Sequence, residues 1–402
     1  MKRSRFSLVG VASGILLAAC GGGMPGTTEQ PSTSDSSALR WQAKAPGTRA
    51  CPQSTPDELQ CDVLIIKTGV RPDLAGWAPS NLQAAYNLPS SSKGSGQIVA
   101  IVDAYDNPNV ASDLAAYRSY FGLPVANFTK YNQNGQTGNY PEECNRNSRI
   151  SSYGFCVEID LDVEMVSASC PNCTIYLIEA ETNSLRNLAD AVKEAVKLGA
   201  RIVSNSYSCI SPDCTWHTDA FDTRGVVYLA SAGDHNYGSY LPAKFANVVS
   251  VGGTILAKDG AKYKEIVWPW TGGGCASGVT KPSWQHDPGC TSRTQNDVAA
   301  VASDVAAYDS YNYSGWITVG GTSVGAPLIA GIYALAGNAN SQHAGKELWT
   351  LTAQQRKKDL HYIREGSDGS CGGSYLCTAG TGEYGTYSGP AGWGTPNGIG
   401  AF

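Results

Sequence analysis

The sequence predicts an α/β protein: a doubly wound, mostly parallel sheet flanked by helices, loop-rich and stapled by disulfides. Three observations predict it. Continuous apolar runs, the pattern of strands buried on both faces, recur from Gln97–Val102 onward. Helical segments lie between them, which implies right-handed crossovers. The chain also combines 46 glycines and 13 cysteines with only 16% charged residues, as a loop-rich exported protein would.

The further strand runs are Thr174 to Ile178, Arg201 to Ser204, Gly225 to Ala230 and Asn247 to Val251. One helix is bracketed by Ser184 as N-cap and Gly199 as terminator, with Leu185, Leu188, Val192 and Ala195/Val196 on one face. From about residue 338 the chain reads as Gly- and Tyr-rich loop. At 402 residues it is long enough for one large domain with a full core, and a net charge of −5 gives no reason to expect a nucleic-acid partner.

Four regions are expected. Residues 1–20 read as an export signal: Lys2, Arg3 and Arg5 are basic, and Phe6–Ala19 is apolar but short for a membrane span. The run Leu17-Ala18-Ala19-Cys20 resembles a bacterial lipobox, which makes Cys20 the lipidated first residue of a mature, membrane-anchored protein. The other reading is an ordinary signal peptide cleaved nearby. Gly21 carries no acidic retention signal, so the resemblance points to the outer membrane or cell surface, or to release outside the cell. Residues 21–45 are a Gly/Ser/Thr/Pro-rich tether, 46–74 a short N-terminal extension and 75–402 the main domain.

With Cys20 set aside, the other 12 cysteines fall into neighbouring couples: Cys51/Cys61, Cys144/Cys156, Cys170/Cys173, Cys209/Cys214, Cys275/Cys290 and Cys371/Cys377. Disulfides are expected within each. Cys170-Pro171-Asn172-Cys173 has the spacing of a redox or zinc motif. It joins a helix to a strand and lacks partner ligands, which favours a structural staple.

Chemistry concentrates in three places. Gly320-Gly321-Thr322-Ser323 opens an apolar helical run, so Ser323 sits among small residues at a helix start, where backbone N–H groups favour negative charge. The bland alternative is a glycine turn capped by Thr322 or Ser323 before a core helix. In Cys156-Val157-Glu158-Ile159-Asp160-Leu161-Asp162, a helix puts Glu158 and Asp162 on one face, where two carboxyl groups share a proton. Tyr228-Leu229-Ala230-Ser231-Ala232-Gly233-Asp234 reads as a buried strand ending in a Gly-Asp turn.

Together with Val249-Ser250-Val251-Gly252-Gly253-Thr254, these motifs resemble the sedolisins, serine-carboxyl peptidases with a subtilisin-like fold, over residues 75 to 402. The resemblance implies that Ser323 is the nucleophile, Glu158 its general base and Asp162 the support of Glu158. It makes Asp234 a protonated donor in the oxyanion hole. Asp103 would be an outer member of the carboxyl network, and Tyr207 would line the same region. An ionised base beside a protonated aspartate implies an acid-shifted optimum. Substrates would be proteins or peptides, the enzyme a monomer, and no cofactor would be required.

Two departures stand out. The family's calcium aspartates fall at Tyr362 and Ser388, so a family-type calcium site is not expected. Asp359, Asp368 and Glu383, off register, read as solvated loop charges. The N-terminal extension is also too short for the large folded propeptide typical of the family. A Ser-His-Asp enzyme using Asp103 finds no histidine in a suitable context among His217, His235, His286, His343 and His361, and His235 is expected to face a loop. The alternative of another class is a catalytically inactive, surface-anchored binding protein on a peptidase scaffold.

Overall fold

A computed structural model describes residues 47–402, except 54, 72, 74, 145–151, 212–213, 215–217 and 340–343. The export signal, Cys20 and the tether lie outside the described residues, as do His217 and His343.

The N-terminal extension supplies β1 (Thr48–Arg49), β2 (Gln60–Cys61) and β3 (Leu64–Lys67). The central sheet is built from β4 (Ile98–Ala104), β5 (Asn127–Asn132), β6 (Thr174–Ala180), β7 (Ile202–Asn205), β9 (Val227–Ser231), β10 (Val248–Asp259), β11 (Lys262–Val267) and β14 (Val298–Val301). Its order is β11-β10-β9-β7-β4-β6-β5, with β14 also beside β10. All pairings are parallel except β10 with β11. The apolar runs are therefore its inner strands, buried on both faces as their continuous hydrophobicity requires.

Three helices position the chemistry. Helix α3 (Tyr153–Ser169) is buried along nearly its whole length, and its carboxylates at 158, 160, 162 and 164 are fully or almost fully buried. It follows α1 (Pro79–Ala85) and α2 (Val110–Tyr120). Helix α4 (Leu185–Lys197) starts where expected: Ser184 Oγ accepts from Asn187 N at 3.2 Å, and Leu188, Ala191, Val192 and Ala195 are buried. Helix α5 (Gly325–Ala336) is entered through a 3₁₀ turn at Thr322–Val324 and is apolar all round. It packs closely on α3, since a Cβ on Gly331 would lie 2.0 Å from Ser169 Oγ.

Beside the main sheet, β15 (Val305–Asp309) and β16 (Gly315–Gly320) form an antiparallel sheet with the extension, in the order β1-β3-β16-β15. The short strand β8 (Tyr207–Ser208) pairs antiparallel with β2. The extension is thus woven into the fold instead of preceding it. The region after 338 is not all loop: helices span Ala344–Thr350 and Ala353–Asp359, the second with a Thr352/Gln355 capping box. All six expected disulfides are present, including Cys170–Cys173 as a helix-to-strand staple. Among the described residues, no helix is long and apolar enough to cross a membrane.

Candidate active site

The carboxyl ends of β4, β7 and β9 converge beneath the turn that carries Ser323, the usual place for function in an open parallel sheet. Helix α3 brings Glu158 and Asp162 to the same place. All three of these side chains are fully buried.

Neither oxygen of Glu158 or Asp162 makes a hydrogen bond of normal geometry. The Ser323 hydroxyl nonetheless lies close enough to Glu158 to pull its pKa down. Burial, then Asp162, Asp103 and Asp62 outweigh that pull and hold it well above the ordinary carboxyl value. Asp162 is raised in the same way by burial, with Ser206 and Glu158 as opposing hydrogen-bonding groups. The array continues outward. Asp103 is raised by burial and by its neighbours Asp162 and Glu179, and Glu179 ends the series 3.6 Å from the Lys130 ammonium. Tyr207 lies near Asp103 and Asp162, which together with burial hold its phenol protonated; its hydroxyl donates to Asn205 Oδ1 at 2.7 Å.

Asp234 Oδ1 accepts from Thr322 N at 2.9 Å and Thr322 Oγ1 at 2.8 Å. The Thr322 hydroxyl therefore fixes Asp234 and caps no helix. Asp234 Oδ2 is buried with no hydrogen bond, and burial followed by the nearby Asp62 holds this carboxyl well above its ordinary pKa. It is a buried, protonated group with one side unspent. Gly321, at φ +115°, is what lets a carbonyl approach: a Cβ there would lie 2.1 Å from the Asp62 carbonyl oxygen and 2.7 Å from Asp234 Oδ2.

The site also contains residues that the sequence did not point to. The Asp62 carbonyl accepts from Ser323 N at 3.2 Å, and Asp62 N donates to Ser206 O at 3.3 Å. Arg49 donates to the Asp234 carbonyl, and Gln60 meets His235 Nε2. His235 therefore faces the extension, not an open loop, and burial followed by Arg49 lowers it to about 4. No signal in the sequence marked Asp62, because its role comes from where the chain returns.

The expected calcium positions carry no carboxylate. Tyr362 has the Arg364 guanidinium 4.8 Å from its ring centre, and Ser388 lies in a tight turn bonded to Gly392. These residues do not fit a family-type calcium ion. Of the nearby acids Glu383 is exposed, as expected, but Asp359 and Asp368 are not solvated. Asp368 is fully buried, neither carboxyl oxygen is hydrogen-bonded, and burial raises it to about 8. Asp359 is buried, and Glu383 accepts from Tyr375 N at 2.7 Å. A group with spacing suited to a hard cation lies elsewhere: buried Asp113, Asp160 and Asp309 offer oxygens within 4.8 Å of one another, against metal–oxygen distances of about 2.4 Å.

Residues 122–372 match the subtilase family model, and the chain belongs to that family. Its relatives there are sedolisins, in line with the motifs. It is 25% identical over 365 residues to sedolisin of Pseudomonas sp. (strain 101), covering 80% of this chain. It is 27% identical over 350 residues to kumamolisin of Bacillus sp. (strain MN-32), covering 76%. The chain spans 60% of the length of each. The solved structure of Pseudomonas sedolisin, a serine-carboxyl proteinase complexed with two molecules of pseudo-iodotyrostatin, aligns with TM-score 0.67 and 23% identity, covering 80% of this chain and 95% of that one. The subtilisin-like fold is thereby established.

Proposed function

We propose that the protein is an exported serine-carboxyl endopeptidase that cleaves peptide bonds through an acyl-enzyme on Ser323. The observation that carries this reading is a peptide carbonyl held by Ser323 N–H beside the unspent oxygen of Asp234, with Glu158 close to the Ser323 hydroxyl, which itself donates to the Ser206 carbonyl at 3.4 Å. Ionised Glu158 takes the hydroxyl proton as Oγ attacks the carbonyl carbon, and Asp162 shares the proton load of Glu158. Ser323 N–H and protonated Asp234 stabilise the oxyanion. Glu158 then returns the proton to the leaving amine, and water reverses the sequence to release the acid. Asp103 and Tyr207 support the pair from behind. Because Asp234 must stay protonated while Glu158 ionises, the optimum is acidic. Protein or peptide substrates suffice, and no step uses a metal.

The test is hydrolysis of a quenched peptide library from about pH 3 to 8 by wild type, Ser323→Ala and Glu158→Gln at matched folding. Acid-shifted cleavage lost in both variants supports the reading; a flat optimum at pH 8 and above refutes it. The lipid anchor at Cys20 predicts palmitate labelling in the producing cell that Cys20→Ser abolishes, and labelling of the variant would refute the anchor.

A further inference from the structure

Residues 59–62 lie along the site as an extended strand. Leu59 is fully buried, its N–H donates to Asn183 O at 2.9 Å, and its carbonyl accepts from Asn183 Nδ2 at 2.7 Å. Gln60 and Cys61 pair antiparallel with Ser208 and Tyr207. The strand ends with the Asp62 carbonyl on Ser323 N–H. This is how a peptidase holds the residues leading into a bond to be cut: added backbone pairing gives affinity, and the last side chain enters a pocket that reads it. The pocket's content is specific. Asp62 Oδ1 accepts from Ser208 Oγ at 2.7 Å, and Oδ2 accepts from Ser231 Oγ at 2.7 Å. All three side chains are fully buried.

We propose that this pocket selects an acidic side chain, aspartate foremost, on the residue preceding the scissile bond, and that Asp62–Val63 is the enzyme's own first substrate. The proposal rests on the peptidase reading above. An apolar side chain would leave two buried hydroxyls without partners, which is the strong form of discrimination. Aspartate spans the gap to both serines as it stands. The groups facing its carboxyl are Arg49, Gln60, Ser208, Ser231, Asp234 and, further off, Tyr240 and Glu158. Burial outweighs the hydrogen bonds and Arg49, and raises Asp62 to about 6, so at acidic pH it enters uncharged.

The step balances with water alone. Ser323 Oγ bonds to the Asp62 carbonyl carbon, the bond to Val63 nitrogen breaks, and the serine proton passes through Glu158 to that nitrogen. Water then gives Asp62 a free carboxyl group and restores the Ser323 hydroxyl. Both cysteines of the Cys51–Cys61 bridge precede the cut, so among the described residues no disulfide ties the released segment to the domain. The same cut would part residues 1–62 from the body of the enzyme.

The experiment transfers the purified full chain to about pH 4 and follows intact mass and N-terminal sequence. In parallel, kcat/KM is measured for peptides differing only in Asp, Glu, Asn, Leu or Lys before the bond. We expect a new N-terminus at Val63, formed at a rate independent of protein concentration and absent in Ser323→Ala. Asp62→Leu should slow it at least about 10-fold, and the Asp peptide should exceed the Leu peptide by about 10-fold or more. Ser208→Ala should shrink that preference; Ser231→Ala gives a second route to the same readout should one variant misfold. Peptide cleavage preferring Leu, or termini only at other bonds, overturns this proposal and leaves the peptidase reading standing. Absence of any cleavage by well-folded wild type overturns both.

Discussion

Replacing Asp234 separates its two attributes, shape and proton. In Asp234→Asn, the amide oxygen must occupy the Oδ1 position, because Thr322 N and Oγ1 donate to it at 2.9 and 2.8 Å. The NH₂ group is therefore forced into the Oδ2 position and donates to the oxyanion at every pH. Wild type loses this donor as pH rises through the raised Asp234 pKa, so its kcat/KM falls on the alkaline side. The Asn variant should keep its alkaline activity, at a peak about 10-fold below wild type because a neutral amide donates more weakly. Asp234→Ala leaves Ser323 N–H alone, and losing one oxyanion donor costs about 2.7–4 kcal/mol, or about 10²–10³ in kcat. The assay is kcat/KM from pH 3 to 9 on one peptide, with folding checked by near-UV circular dichroism. An alkaline limb for Asp234→Asn superimposed on wild type would refute the assignment, as would Asp234→Ala within about threefold of wild type.

Gly321→Ala should lower kcat/KM by at least about 100-fold, because its Cβ would occupy the approach of the substrate carbonyl, and should also lower the melting temperature, since φ is +115° there and the Cβ would lie 2.1 Å from the Asp62 carbonyl oxygen; unchanged kinetics in the folded variant would contradict the position of the oxyanion hole. Gly331→Ala presses on Ser169 Oγ, and also on Ser169 Cβ at 3.1 Å, so it should cost about 1–3 kcal/mol by urea unfolding. No change in midpoint would mean the two helices are less closely packed. Stability should rise toward acid. The raised Asp368 keeps its proton in the folded state between about pH 4 and 8, whereas the unfolded chain loses it near the ordinary carboxyl value of 3.8. Its contribution is complete below that lower value and is lost as pH rises, at up to about 1.4 kcal/mol per pH unit. His235, lowered to about 4, acts in the opposite sense between about pH 4 and 6.5. Asp368→Asn should flatten the pH dependence of the melting temperature, and a slope identical to wild type would exclude Asp368 as a source.

What could be read from residues alone was whatever local pattern encodes. The parallel strands announce themselves because burial on both faces demands unbroken apolar runs, and the α4 helix because Ser184 and Gly199 bracket it. The Glu158/Asp162 pair follows from helical spacing, and the disulfides from sequence proximity. What depends on chain return was silent. Asp62 is an ordinary aspartate until β2 lies against β8, and nothing local says that Ser208 and Ser231, from different strands, will close on one carboxyl group. Asp368 was misread for the same reason: a Gly-Ser-Asp-Gly run looks solvated, yet the loop folds it under Gly273, where a Cβ would meet its Oδ2 at 2.6 Å. The late helices were missed because their glycine- and tyrosine-rich surroundings masked the Thr352/Gln355 capping box.

The placement of the extension also bears on how so short a segment could hold a peptidase in check. A large propeptide achieves this with an independent core, which residues 46–74 cannot build. Here the host supplies the stability. β3 pairs with β16, whose end leads directly into the Ser323 turn, and the Cys51–Cys61 bridge folds β1 back so that Ala50 N reaches the Val63 carbonyl at 3.1 Å. The bond after Asp62 is therefore clamped on both sides, by β8 before it and by β1 and β16 after it. Such clamping keeps the two ends of a cut bond together and favours resealing over release. Loss of the segment then depends on weakening its hold on the acyl side, where the carboxyl of Asp62 is the group that changes charge near pH 6. Ionisation there has two sides: the Ser208 and Ser231 hydroxyls and the Arg49 guanidinium favour the charged carboxyl, and burial opposes it.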